Sequence, residues 1–331
     1  MSAAALAALL RALEQAPHLP GEAWNGIVAA ARAERLLATL ACHLQGVALP
    51  EAVGAIFADA RRDADRDRQL ALWEADRAAC ALAPLGIPVL LLKGAAYVAA
   101  GLGAGAGRMI GDLDILVPRD RLEEAEQALL AAGWEWVKSD PYDDVYYRRW
   151  MHELPPLIHR ERDRMIDVHH TILPLTARPR PDASALLAER IDLGGGLWVL
   201  SPEDRVCHAV AHVLADGDLA GGLRNLWDIK CLISDIEDMD KLYRRAALHG
   251  LTAELSRAQR LCDHLFGTGE GALRLADRFF LARLLSTDGW GRDSRPLLGL
   301  GFYIRSHLLR MPPLMLARHL WTKWRRGHRP S

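Results

Sequence analysis

Two acids two positions apart, Asp112 and Asp114, stand inside the run Gly111-Asp112-Leu113-Asp114-Ile115-Leu116-Val117. Alternate strand residues share a face, so as a strand this segment points both carboxylates one way and turns Leu113 and Ile115 into the core. Carboxylates side by side repel each other, and a divalent cation is the simplest group that offsets the repulsion. Hard cations such as Mg²⁺ take oxygen ligands and bind through carboxylates together with substrate phosphates. Two such cations about 4 Å apart can activate an attacking oxygen and stabilise a leaving one. For an isolated pair, the plain alternative is a surface strand with two solvated aspartates.

The surrounding chain must position these acids. Its 331 residues suffice for two domains, or for one core with helical additions. The formal net charge of -1 excludes a general electrostatic attraction to nucleic acid, so polyanion binding would need a local patch. Cys42, Cys80, Cys207, Cys231 and Cys262 are scattered without a C-x-x-C pair. That argues against a zinc ribbon or disulfide framework and suits a reducing, cytoplasmic setting. The apolar N-terminus lacks a basic flank and is broken by Arg11 and Glu14, so it reads as a short helix rather than a signal peptide. No uncharged run reaches the roughly 18–20 residues of a transmembrane helix.

Three zones differ in texture, and they predict an α+β protein with a small mixed sheet between helical regions. Residues 1–82 read as N-terminal helices with breaks at Pro17–Gly21 and Gly46–Pro50. The last of these helices is long, Glu51–Leu82, with a solvated middle at Arg61–Arg68. Residues 83–175 are expected to form the sheet-containing core. Its predicted strands are Pro88–Lys93, Ile110–Val117, Trp134–Lys138, Asp144–Trp150, Leu154–His159 and Met165–His170, with helices at Gly94–Ala100 and Pro118–Ala132. Residues 176–331 are expected to form a C-terminal helical domain. Ser201-Pro202-Glu203-Asp204 opens it with a capping hydroxyl, a first-turn proline and early acids, and breaks fall near Gly217, Asp238, Gly250 and Gly267.

Leu91-Leu92-Lys93-Gly94-Ala95-Ala96, Arg108, the acidic strand and Ala132-Gly133-Trp134 together resemble the bacterial uncharacterised nucleotidyltransferase family. That family belongs to the DNA polymerase β-like superfamily. Asp167-Val168-His169-His170 is similar to the later strand that supplies the third acid. A weaker likeness continues through Ser201–Asp204, His212 and Leu223–Ile229. The resemblance implies that Asp112, Asp114 and Asp167 are the catalytic metal ligands for Mg²⁺ or Mn²⁺, and that Asp167 also positions or deprotonates the acceptor. It implies an NTP donor, with ATP expected, and an acceptor of unspecified type: small molecule, peptide or protein. Gly94 would open a helix whose amides face the triphosphate. Two departures from the superfamily stand out: Gly94-Ala95 in place of Gly-Ser or Gly-Gly, and a longer gap to Asp112. A non-catalytic nucleotide- or partner-binding module on the same fold is therefore the competing expectation.

Further candidates carry two readings each. Lys93 could meet a phosphate or pair with a neighbouring acid, and Arg108 could bind phosphate bidentately or bridge to Asp112 or Asp114. His169 shares the face of Asp167 and could touch substrate or be a simple hydrogen-bonded histidine. His208 and His212, four apart, are expected as core or capping histidines, since the H-E-x-x-H pattern is absent. Arg224 and Asp228 read as a helix-surface ion pair. Gly101–Gly107 lacks the preceding strand of a dinucleotide fingerprint and is expected as a flexible loop. The segment from Pro296 to Gly327, with Trp321, Trp324, Arg325 and Arg326, is expected to dock on the core rather than lie on a membrane.

Overall fold

The computed structural model describes residues 6–7, 9–10, 21–138, 140–267 and 272–325. Residues 17–20 of the break expected at Pro17–Gly21, most of the segment expected as the N-terminal helix and Arg326 lie outside them. Helices α1 (Gly21–Ala33), α2 (Leu37–His43) and α3 (Glu51–Leu82) come first. α3 packs against α2 and the sheet and buries Val53, Phe57, Ala71, Ala75, Ala78 and Leu82 while its charged middle faces solvent, an amphipathic division its sequence dictates.

The sheet contains β1 (Val89–Leu91), β2 (Asp112–Leu116), β3 (Trp134–Trp136), β4 (Leu157–His159), β5 (Met165–His169), β6 (Ile191–Gly194) and β7 (Leu197–Val199). Between the first strands lie α4 (Lys93–Ala99) and α5 (Leu122–Ala131). Seven strands run in the order β3-β4-β5-β2-β1-β7-β6. β2 is parallel to β5 and β1 to β7, and the other pairings are antiparallel, so this is a mixed sheet with helices at both ends of the chain, an α+β protein. Leu90, Leu91, Ile115 and Leu116 are fully buried, as the continuous apolar runs require of central strands.

Two expectations need correction. Asp144–Trp150 is not a strand but the end of α6 (Pro141–Trp150). Pro141 stands at its first position, and the Asp144–Arg148 pair at 2.8 Å is an i,i+4 helical contact. The aromatic residues of that segment mimicked strand composition. The glycine-rich stretch is not a loose loop. It forms a 3₁₀ turn at Gly103–Gly105 with Ala104 fully buried. Gly107, at φ +63°, lies so close to α2 that an added Cβ would sit 2.3 Å from the carbonyl carbon of Ala38.

After α7 (Ala183–Ala188) and the β6–β7 hairpin come α8 (Pro202–Val210), a π-helical turn at Ala211–Asp216, and α9 (Gly222–Ser234). α10 (Met239–Leu248), α11 (Thr252–Phe266), α12 (Leu275–Leu284), α13 (Pro296–Arg310) and α14 (Pro313–Arg325) complete the chain. Ser201 Oγ accepts from the Asp204 amide at 3.3 Å and caps α8. α13 docks on the core through Phe302, edge-on to Phe280 at 5.1 Å, and through Arg310, which donates to Asp216 at 2.6 Å. Among the described residues no helix is long and apolar enough to cross a membrane.

Candidate metal-binding site

The parallel pairing of β2 with β5 sets Asp114 directly opposite Asp167, Asp112 opposite Met165 and Leu116 opposite His169. Because side chains alternate, Asp112, Asp114, Asp167 and His169 share one face of these two strands. Asp112 is exposed at the strand entrance, Asp114 is buried and Asp167 is partly buried. One carboxylate oxygen from each aspartate lies within 4.8 Å of the others, so the trio could hold a metal ion. An all-oxygen donor set suits a hard divalent cation. The residues present fit that ion.

Asp114 carries most of the surrounding contacts. Lys93 Nζ reaches its Oδ1 at 2.6 Å and His169 Nε2 reaches the same oxygen at 3.0 Å. Burial works against its charge, but Lys93 and His169 outweigh burial and hold its carboxyl well below the usual carboxylate range. Burial likewise opposes the Lys93 charge, yet Asp114, then Asp112 and Glu153, keep the ammonium firmly protonated. Asp167 has the opposite environment. Burial, then Glu153 and Asp114, push its carboxyl up to about 7.

Backbone geometry places Lys93. Its φ of +46° is left-handed, a conformation costly for a residue with a Cβ, on the order of 1–2 kcal/mol. The turn brings the ammonium back over β2, where Leu92 N donates to Asp114 O at 3.0 Å. Gly94 and Ala95 follow at the buried start of α4. A Cβ on Gly94 would lie 2.9 Å from Arg108 Nε and 3.3 Å from Ile110 Cγ1, so a larger residue there would make these side chains shift.

Arg108 does not bridge to Asp112 or Asp114. It ion-pairs with Asp228 and lies over the Tyr97 ring, 5.8 Å from its centroid. Asp228 also receives Arg224 at 2.7 Å, and Arg224 donates to Thr39 and, at 2.8 Å, to Ala104 O. The surface reading of Arg224 and Asp228 is thus overturned: both are buried and fasten α9 to the glycine-rich turn and α2. The reason is the apolar residues on both sides of the pair, Leu223, Leu226, Trp227 and Ile229, which bury the helix almost all round.

Two residues near the acids, His152 and Glu153, escaped the sequence reading. Glu153 forms an isolated antiparallel bridge with His169, and the rings of His152 and His169 lie 5.1 Å apart. His212 ends up in the π-helical turn and His208 in α8. Burial, then the nearby Lys93 charge, lowers the imidazoles of His208 and His212, the latter to about 3, so both stay neutral. His212 also lines a cavity of about 400 Å³ together with Asp216, Asn225, His307 and Arg310. The only sequence hint of Glu153 was the His-Glu pair ahead of a strand, which by itself specifies nothing.

Residues 20–267, three quarters of the chain, match the family described as uncharacterised nucleotidyltransferase. The chain belongs to that family. No curated protein matches it.

Proposed function

We propose that the protein is a metal-dependent nucleotidyltransferase that moves a nucleoside monophosphate from an NTP, ATP being the expected donor, to an acceptor and releases pyrophosphate. The observation carrying this reading is the convergence of Asp112, Asp114 and Asp167 on one face of adjacent parallel strands. That placement also supports assigning the core to the DNA polymerase β-like superfamily.

These three residues would hold Mg²⁺ or Mn²⁺, which when bound neutralises triphosphate charge. Lys93 and His169 fix the Asp114 carboxylate, so its orientation costs nothing at the moment of reaction. The acceptor oxygen attacks the α-phosphorus, the bond from that phosphorus to the β-bridging oxygen breaks, and pyrophosphate leaves. Asp167 takes the acceptor's proton. Positioning provides most of the rate.

One observation favours a non-catalytic nucleotide-binding module instead: Lys93 already neutralises one of the proposed metal ligands. The two readings separate on incubation of the purified chain with α-labelled nucleotides, Mg²⁺ or Mn²⁺ and a cell extract. Catalysis predicts label on an acceptor, lost in Asp112→Asn and Asp114→Asn. Nucleotide binding without label transfer, or transfer unaffected by those substitutions, refutes it.

A further inference from the structure

Next to the aspartates lies a cluster with different donors. The segment before β4 continues the antiparallel pairing of β4 along β5: Leu154 N donates to Val168 O at 2.9 Å and His170 N to His152 O at 2.8 Å. This pairing puts Glu153 directly across from His169, where cross-strand side chains meet. Glu153 Oε2 is 3.4 Å from His169 Nδ1 and 3.6 Å from His152 Nε2. One donor atom from each of the three residues lies within 4.8 Å of the others.

The two spacings to Glu153 are long for hydrogen bonds and match the separation of ligands around one ion. Ligands about 2.0–2.1 Å from a tetrahedral ion stand about 3.4 Å apart. His169 supplies an independent indication. Its side chain is only 2 % exposed and its Nε2 is taken by Asp114, yet its buried Nδ1 makes no hydrogen bond. A buried polar atom left unpaired costs roughly 1–3 kcal/mol, so such orphans require an explanation. A proton on Nε2, held by Asp114, leaves the Nδ1 lone pair free to bind a metal. Carboxylate–histidine–metal arrangements work this way, the carboxylate fixing the tautomer and orienting the ring.

We infer that His152, Glu153 and His169 form a second metal site, selective for a zinc-like transition-metal dication and separate from the aspartate site. Two imidazoles and one carboxylate favour Zn²⁺ or Co²⁺ over Mg²⁺, and three protein ligands leave a fourth position for water or a ligand oxygen. His169 links the two sites, with one nitrogen on the transition metal and the other on Asp114. The inference stands whether or not the chain transfers nucleotides.

The test is a Co²⁺ titration of the metal-stripped full chain in excess Mg²⁺, followed by the visible absorption of four-coordinate Co²⁺ and by Zn²⁺ displacement. One equivalent of Co²⁺ should develop the band, and one equivalent of Zn²⁺ should abolish it. Glu153→Gln and His152→Ala, shown folded by circular dichroism, should weaken Co²⁺ at least tenfold. Asp112→Asn should retain the band. Absence of the band in the wild-type chain overturns the site. So does a band that survives Glu153→Gln but disappears in Asp112→Asn, since the ion would then sit on the aspartates. Loss or retention of nucleotidyl transfer tests the other reading and has no bearing on this one.

Discussion

Asp114 and Asp167 stand opposite each other on parallel strands in opposed electrostatic states. Asp114 accepts from Lys93 and His169 and is held ionised, whereas burial and the neighbouring acids push Asp167 up to about 7. A parallel register places the two carboxylates side by side, and only one of them has an ammonium at hand. The aspartate pair is therefore half neutralised by the chain itself. What a bound cation would still offset is the charge on Asp167 and Asp112.

That division predicts the behaviour of Lys93→Met. Removing the ammonium leaves Asp114 buried with only His169 for support, and should lower stability by about 3 kcal/mol. Mg²⁺ should recover part of the loss, because cation and ammonium address the same carboxylate. Thermal unfolding with and without Mg²⁺ checks this. Equal Mg²⁺ stabilisation of wild type and Lys93→Met would mean that the ion does not bind there.

Much of this site was legible beforehand, for a physical reason. Asp112 and Asp114 lie on a short strand whose apolar neighbours declare which face is inward, so period-two alternation puts them on one face, whereas only the family resemblance joined Asp167 to them, because no local pattern encodes the β2–β5 register. Lys93 on Asp114 was one of two open readings. Arg108 could not be assigned because its partner, Asp228, is 120 residues away and no local pattern encodes that distance. The β6–β7 hairpin was missed since its strands are short and β6 is exposed, leaving only Gly194-Gly195-Gly196 as a turn signal. Compositional reading also misjudged Gly101–Gly107. Glycine permits looseness, but here Gly105 and Gly107 permit close backbone approach instead.

Gly107→Ala tests that last distinction. The new methyl would overlap the Ala38–Thr39 peptide, which is backbone and cannot swing aside, and the left-handed φ adds about 1 kcal/mol. We expect a loss of about 3 kcal/mol or more in denaturant unfolding. A flexible loop would tolerate the change within about 0.5 kcal/mol.

Asp277 predicts an acid transition at a carboxylate outside the trio. The Arg260 hydrogen bonds, opposed by burial and supported by Arg257 and the Arg274 amide, lower its carboxyl to about 2. A folded-state value below the unfolded one stabilises above the unfolded pKa, near 4, and that contribution fades as pH falls through about 2. Asp277→Asn should therefore cost about 2 kcal/mol at pH 7 and progressively less between pH 4 and pH 2. Parallel wild-type and variant stability curves across that window would exclude Asp277 as the titrating group.

Asp228→Ala separates a structural role for Arg108 from a phosphate-binding one. Asp228 receives both Arg108 and Arg224 in a buried setting, so truncation strands two guanidinium groups. Breaking a buried ion pair costs about 3–5 kcal/mol, against a few tenths for an exposed helical pair. The thermal midpoint of Asp228→Ala should fall accordingly, and Arg108→Met should restore part of it by removing one uncompensated charge. If Arg108 instead exists to bind nucleotide, the double variant regains no stability, and Arg108→Met alone weakens nucleotide binding while unfolding like wild type. Nucleotide titration of the single variant beside thermal unfolding of all three distinguishes the outcomes, because an arginine tied into the Asp228 network contributes to unfolding free energy whether or not a triphosphate is present.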